Sequence, residues 1–244
     1  VKSTIASVLQ QFGKLDGLAN NAGGQFPAAL EDISTNGFDA VVRNNLNGTF
    51  LMMREAYNQW MKQHGGSMVN MTADMWGGMP GMGHSGAARA GVDNLTKTAA
   101  VEWAKSGVRV NAVSPGWIIS SGMDTYDGEF AEVIIPSLAG NVPLKRMGTE
   151  SEVSSAICYL LSEASAFVSG VTLRIDGAAS QGTRMYALKE AINSESYNGF
   201  HRAYIPDVLK QKVTATTNGS TVTTSDSSTG QMQHQAADAN ASKQ

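Results

Sequence analysis

The chain has 244 residues, with 18 basic and 21 acidic side chains and a formal net charge of −3. That balance gives no electrostatic footprint for nucleic acid or an anionic membrane, and the length suffices for one domain with a sizeable core. One cysteine, Cys158, excludes an internal disulfide and suits a reducing compartment. No apolar run is long enough to span a bilayer and no basic-then-apolar leader is read, so a cytoplasmic location is expected.

The chain opens at Val1 inside a helical pattern of Ile5, Val8, Leu9 and Phe12 that Gly13 stops, and it therefore reads as a fragment. Lys14 to Ala19 is a short buried strand ending in Asn20-Asn21-Ala22-Gly23-Gly24. A long amphipathic helix follows from Asn36 to about Gln63, closed by Gly65-Gly66, and Ser67 to Met71 is the next strand. A Gly- and Met-rich loop leads to a second long helix, about Ser85 to Lys105, and then to a strand from Val108 to Val113. Trp117 to Asn141 has no clear period and reads as a mobile substrate loop. Glu150 to Leu161 is a helix, and Val171 to Ile175 is a last strand before Asp176-Gly177. From about Val213 the composition turns to Thr, Ser, Gln, Asn and Ala without periodicity, so residues 1–212 are expected to form the domain and 213–244 a disordered tail.

Alternating strands and helices predict an α/β fold with a doubly wound, Rossmann-like parallel sheet. Ligands in such sheets sit at the carboxyl ends of the strands, where Asn20–Gly24, Thr72–Ser85 and Pro115–Ser121 would cluster. Gly81-Met-Gly83-His-Ser-Gly86 fits a dinucleotide fingerprint, but residues intervene between the strand and these glycines, whereas a phosphate loop turns directly from strand into helix. The acceptor patterns at Asn47, Asn70, Asn94 and Asn218 are read as chance matches. No metal-ligand cluster is evident. Asp93 and Lys97 have the spacing of an i,i+4 surface ion pair.

Several blocks in order resemble the short-chain dehydrogenase/reductase family: Asn20-Asn21-Ala22-Gly23, Asn45-Leu46 with Gly48 and Phe50, His84-Ser-Gly-Ala-Ala-Arg-Ala-Gly91, and Arg109-Val-Asn111 with Pro115-Gly116. The resemblance runs from near Val1 to about Leu209. Asn21-Ala-Gly-Gly-Gln-Phe26, Trp60-Met-Lys, Gly65-Gly-Ser-Met-Val-Asn70 and Glu152-Val-Ser-Ser155 are most similar to the trans-2-enoyl-CoA and 2,4-dienoyl-CoA reductase branches. The resemblance implies that the family's phosphate loop, and the residue choosing NAD or NADP, precede Val1. The first strands and helices of the nucleotide-binding half are then missing, and the chain should bind NADP(H) weakly or not at all.

In most of the family a Tyr and a Lys lie four apart on the active helix, and here those positions hold Ser85 and Arg89. Arg89 can donate to ribose hydroxyls but is a fixed cation, and Ser85 is a poor acid, so ordinary alcohol oxidation is disfavoured. The proton source is left open between Asp74, His84 and a water held by Asn45. The bland readings are a solvated carboxylate at Asp74, a capping or packing ring at His84, and a buried backbone-bonded amide at Asn45. By resemblance the catalytic set is Asn45, Asp74, Ser85 and Arg89. The cofactor set is Asn21, Ala22, Gly23, Arg89, Pro115, Gly116, Ile118 and Ser120. Met68 to Met82 supply either a pliable acyl-binding wall or plain packing.

The expected activity is NAD(P)H-dependent reduction of a 2-enoyl-CoA or dienoyl-CoA C=C bond, with NADP(H) favoured over NAD(H) and an acyl-CoA as the partner. Alternatives are a terpenoid (citronellol-type) alcohol or aldehyde dehydrogenase, and an inactive fragment keeping only an oligomer interface. The long helices pair subunits in the family, which implies a homodimer or homotetramer.

Overall fold

The computed structural model describes residues 1–181, 188–200 and 204–210, so the polar tail expected from Val213 lies outside the described residues. Helix α1 (Lys2–Phe12) ends at Gly13, whose φ of 71° is the left-handed conformation that glycine adopts without a Cβ penalty. Strand β1 (Gly17–Asn20) follows. It starts later than Lys14 because pairing begins only where Gly17 meets Ser67. The predicted long helix is a rod of α2 (Thr35–Val42), α3 (Gly48–Ala56) and α4 (Lys62–His64), with π-turns at Arg43–Asn47 and Tyr57–Met61. Ser34 caps it by accepting the Gly37 N–H at 3.1 Å. Strand β2 (Gly66–Met71), helix α5 (Gly83–Trp103) and strand β3 (Val108–Pro115) come next. Then follow β4 (Ile118–Ile119), α6 (Ile135–Asn141), β5 (Gly148–Thr149), α7 (Glu150–Leu161) and β6 (Thr172–Ile175).

The main sheet is parallel, in the order β1-β2-β3-β6. Adjacent β2 residues point to opposite faces, as the period of two requires. Met68 packs with Ile5, Met53, Met61 and Ala99 from α1, the rod and α5. Its neighbour Val69 packs with Val153 and Leu160 of α7. Helices thus cover both faces, which is the doubly wound arrangement. Among the described residues no helix is long and apolar enough to cross a membrane.

Residues 117–141 depart from the expectation of a loop without regular structure. They fold into β4, a 3-10 turn at Ser121–Thr125, a π-turn at Phe130–Ile134, and α6. Met123, Ile135, Leu138 and Met147 form a small core of their own. Those residues sit on different short elements, so no sequence window carries a period.

A polar chain crosses the core beneath β1 and β2. Asn70, fully buried, accepts from Asn20 Nδ2 at 2.8 Å and donates to Thr96 Oγ1 at 2.9 Å. Its place as a buried crosslink also rules it out as an accessible glycan acceptor. Replacing Asn70 by Ala strands Asn20 and removes the donor to Thr96. We expect a loss of about 2 kcal/mol, measured by denaturant unfolding of N70A beside the parent.

Candidate active site

The site grows from the loop after β1. Gly24 is pinned by the Asn45 side chain in both directions: its N–H donates to Asn45 Oδ1 at 2.9 Å, and its carbonyl accepts from Nδ2 at 3.0 Å. Asn45 reaches that position from the first π-turn, where the widened helix places its fully buried amide against the loop. Its backbone carbonyl accepts from Thr49 Oγ1 at 2.9 Å. This is the backbone-bonded amide of the bland reading, and it fixes the path of Asn21–Gly24.

Arg89 meets the same loop from α5. Its Nη1 donates to the Met71 carbonyl at the end of β2 at 2.7 Å. A Cβ on Gly23 would lie 2.4 Å from Arg89 Nη2 and 2.7 Å from Asn45 Oδ1, so a larger residue there would have to displace the guanidinium and the amide. Burial lowers the Arg89 pKa from its ordinary value. Its Nε is buried with no hydrogen-bond partner among the described residues.

Ser85, one helical turn earlier on α5, is fully buried and donates its hydroxyl proton to Gln25 Oε1 at 2.6 Å. Gln25 was absent from the sequence-derived set. It lies 60 residues from Ser85, and only the fold joins them. The available signal was its place in the Asn21–Phe26 block, directly after Gly23-Gly24. His84 is a packing ring: its Nδ1 accepts the Ser85 N–H at 2.8 Å, and the ring stands edge-on to Phe26 at 4.4 Å. Its Nε2 is buried without a partner among the described residues, so it is poorly placed to exchange protons.

Asp74 belongs to a different cluster. Burial, helped by the Asp176 carboxylate, raises its pKa, opposed by the Trp76 backbone and Arg174. Arg174 from β6 lies over the Trp76 ring at 4.1 Å, and the Asp74 N–H donates to the Pro115 carbonyl at 3.1 Å.

Asn21, Pro115 and Ile118 line a cavity of about 550 Å³ with Met71, Val153 and Ser154, at the carboxyl ends of the strands. Gly116 is packed on Asp176, which a Cβ would approach to 2.9 Å. Ser120 caps the turn at Ser121–Thr125 and accepts the Met123 N–H at 3.1 Å. Ala22 is exposed beside Asn21. The structure therefore joins Asn45, Gly23 and Arg89 directly, connects Arg89 to the cavity through Met71, and sets Asp74 and Ser120 in other clusters. The cavity lined by Asn21, Met71, Pro115 and Ile118 has room for part of a nicotinamide nucleotide at this end of the sheet, whereas the space beside Gly23 is filled by Arg89 and Asn45.

Two substitutions check this geometry. Gly23→Ala should push Arg89 and Asn45 apart, while Asn45→Ala should leave both polar groups of Gly24 without their protein partner. Each is expected to cost about 2 kcal/mol of stability, read as a fall in the melting temperature against an Ala22→Gly control.

A family profile described as enoyl-(acyl carrier protein) reductase matches residues 1–180. The chain is 38% identical over 183 residues to a peroxisomal 2,4-dienoyl-CoA reductase of Danio rerio, covering 73% of this chain and 60% of that protein. It is 39% identical over 176 residues to a probable 2,4-dienoyl-CoA reductase of Bacillus subtilis (strain 168), covering 71% of this chain and 69% of that one. Among solved structures, the citronellol catabolism dehydrogenase of Pseudomonas aeruginosa PAO1 is 56% identical with a TM-score of 0.64, covering 74% of this chain and 68% of the other. ElxO with NADP bound is 31% identical with a TM-score of 0.68, covering 73% and 72%. Parallel sheet and relatives agree: the chain belongs to the short-chain dehydrogenase/reductase family.

Proposed function

We propose that this chain serves an NADP(H)-dependent reductase acting on the C=C bond of a 2-enoyl-CoA or dienoyl-CoA. The observation that carries the reading is the pairing of Ser85 with Gln25 beside the buried cation Arg89. The Tyr and Lys positions hold no phenol to titrate, and the Ser85 proton is spent on Gln25. What remains suits charge stabilisation. The Gln25 amide N–H groups and Arg89 can hold the negative charge that develops on a thioester oxygen when a conjugated C=C bond is reduced. Asn45 fixes the loop that carries Gln25. Arg89, Asn21, Pro115 and Ile118 would hold the nicotinamide half of NADP(H), which supplies hydride when bound. Asp74 is the proton donor to carbon in this reading, because burial and the Asp176 carboxylate raise its pKa, and because His84 is sealed in the core. The exposed Phe38 and Phe50 of the rod and Val101 of α5 support a homo-oligomer built on these helices. The dienoyl-CoA reductases quoted above and the NADP-bound relative support the substrate class and the cofactor.

A second reading is a citronellol-type alcohol dehydrogenase, favoured by the 56% identity to the Pseudomonas structure. Spectrophotometric assays at high NADPH with crotonyl-CoA, and at high NADP⁺ with citronellol, separate the two. We expect crotonyl-CoA-dependent NADPH oxidation, and Gln25→Ala should lower kcat about 100-fold. Citronellol oxidation without enoyl-CoA reduction would establish the second reading instead.

The Asp74 assignment has a pH signature. A donor must be protonated, so the rate should decline as pH rises through its raised pKa. Asp74→Asn should remove that limb and lower kcat about 100-fold at its pH optimum. A D74N profile that keeps the limb would move the proton source elsewhere.

A further inference from the structure

The family profile ends at residue 180, yet residues beyond it are fastened to the family core at both ends of the 117–147 segment. At the exit of that segment, Arg146 grips Glu152 bidentately, with Nη1–Oε2 at 2.9 Å and Nη2–Oε1 at 2.7 Å. The same guanidinium donates from Nε to Ser194 Oγ at 2.9 Å and from Nη2 to the Glu195 carbonyl at 3.0 Å. Thr149 Oγ1 donates to the Tyr197 carbonyl at 2.6 Å, and the Tyr197 N–H donates to Glu152 Oε1 at 3.3 Å. Near the start of the segment, Asp124 accepts from the Tyr204 hydroxyl and from the Asp207 N–H. Val208 and Leu209 then pack against the core of Met123, Ile135, Leu138 and Met147.

These contacts bear on the site because the clasped segment supplies residues to two cavities at this end of the sheet. Ile118, at its base, lines the large cavity. Trp117, Val142 and Leu144 wall a second cavity of about 260 Å³, closed on one side by the Arg146–Glu152 pair. The segment meets the remaining structure through the short β4–β5 pairing and through Ile118, Val142 and Leu144, and its own core has four buried apolar residues. So small a unit depends on the outside residues that cover it.

We propose that residues 194–200 and 204–210 set the length of apolar chain the site accepts, by clamping the 117–147 wall. Tyr204, Val208 and Leu209 are positioning residues in this arrangement. The wall's contact with an acyl chain rests on the reductase reading, whereas the clamp itself does not.

Hydrogen exchange on the full 244-residue chain tests the clamp. Leu209→Asp and Tyr204→Phe should speed exchange across residues 121–141 roughly tenfold and leave 66–71 unchanged, with Leu209→Met restoring protection. Unchanged exchange at 121–141 in both L209D and Y204F would overturn the clamp, and Y204F keeps the test alive if L209D fails to fold. Calorimetric binding of hexadecenoyl-CoA and crotonyl-CoA tests the length role. Y204F and L209D should shift the ratio of the two dissociation constants about tenfold while L209M does not. An unchanged ratio overturns the length role alone. Failure of the parent chain to bind either thioester overturns both the length role and the reductase reading, and leaves the clamp to the exchange result.

Discussion

A buried guanidinium is the joint on which the site depends. Arg89 ties α5 to the carboxyl end of β2 through the Met71 carbonyl and lies against Gly23 in the loop after β1. Burying a cation costs several kcal/mol, even after relaxation, unless partners compensate it. No carboxylate pairs with Arg89 among the described residues, and one of its donors has no partner there. A charge kept at that cost, at the carboxyl end of a parallel sheet, is more readily explained by chemistry than by stability. Lysine would not be equivalent here. The planar fork lets one nitrogen hold Met71 while another lies against the Gly23 loop, a division of labour that a single ammonium cannot make.

The elements most legible in the sequence were those closed by local chemistry. Helix α7 runs from Glu150 to Leu161 as read, because Thr149 and Glu152 form a capping box. Gly13 and Gly65, both at positive φ, end their helices as expected. The π-turn at Asn45 was not legible as a local feature, since the hydrogen-bond pair that holds its amide is with Gly24, 21 residues away. The helical content of residues 117–147 was hidden because their core is assembled across several short elements and completed by Val208 and Leu209.

Asp93 and Lys97 show the same division between local and tertiary information. Their spacing predicts an ion pair, and the pair forms at 2.6 Å. What spacing alone does not show is that Asp93 is 6% exposed. Its other carboxylate oxygen accepts from Thr172 Oγ1 of β6 at 2.6 Å. A contact that reads as surface decoration therefore also ties the active helix to the edge strand.

The separation of polar clusters at the carboxyl ends has a chemical consequence. Gln25, Ser85, Arg89 and Asn45 hang from the β1 loop, the rod and α5. Asp74 has Asp176 and Arg174, at the end of β6, as its electrostatic neighbours. Reducing a carbonyl to an alcohol delivers the proton to the oxygen that develops charge, so donor and charge-stabilising groups must converge on one atom. Reducing a conjugated C=C bond divides these tasks, because charge gathers on the thioester oxygen while the proton goes to carbon. Groups held by different strands suit the second reaction. Replacing tyrosine by serine then removes a titrating group at the oxygen, where the divided reaction requires only hydrogen-bond donors and a fixed positive charge.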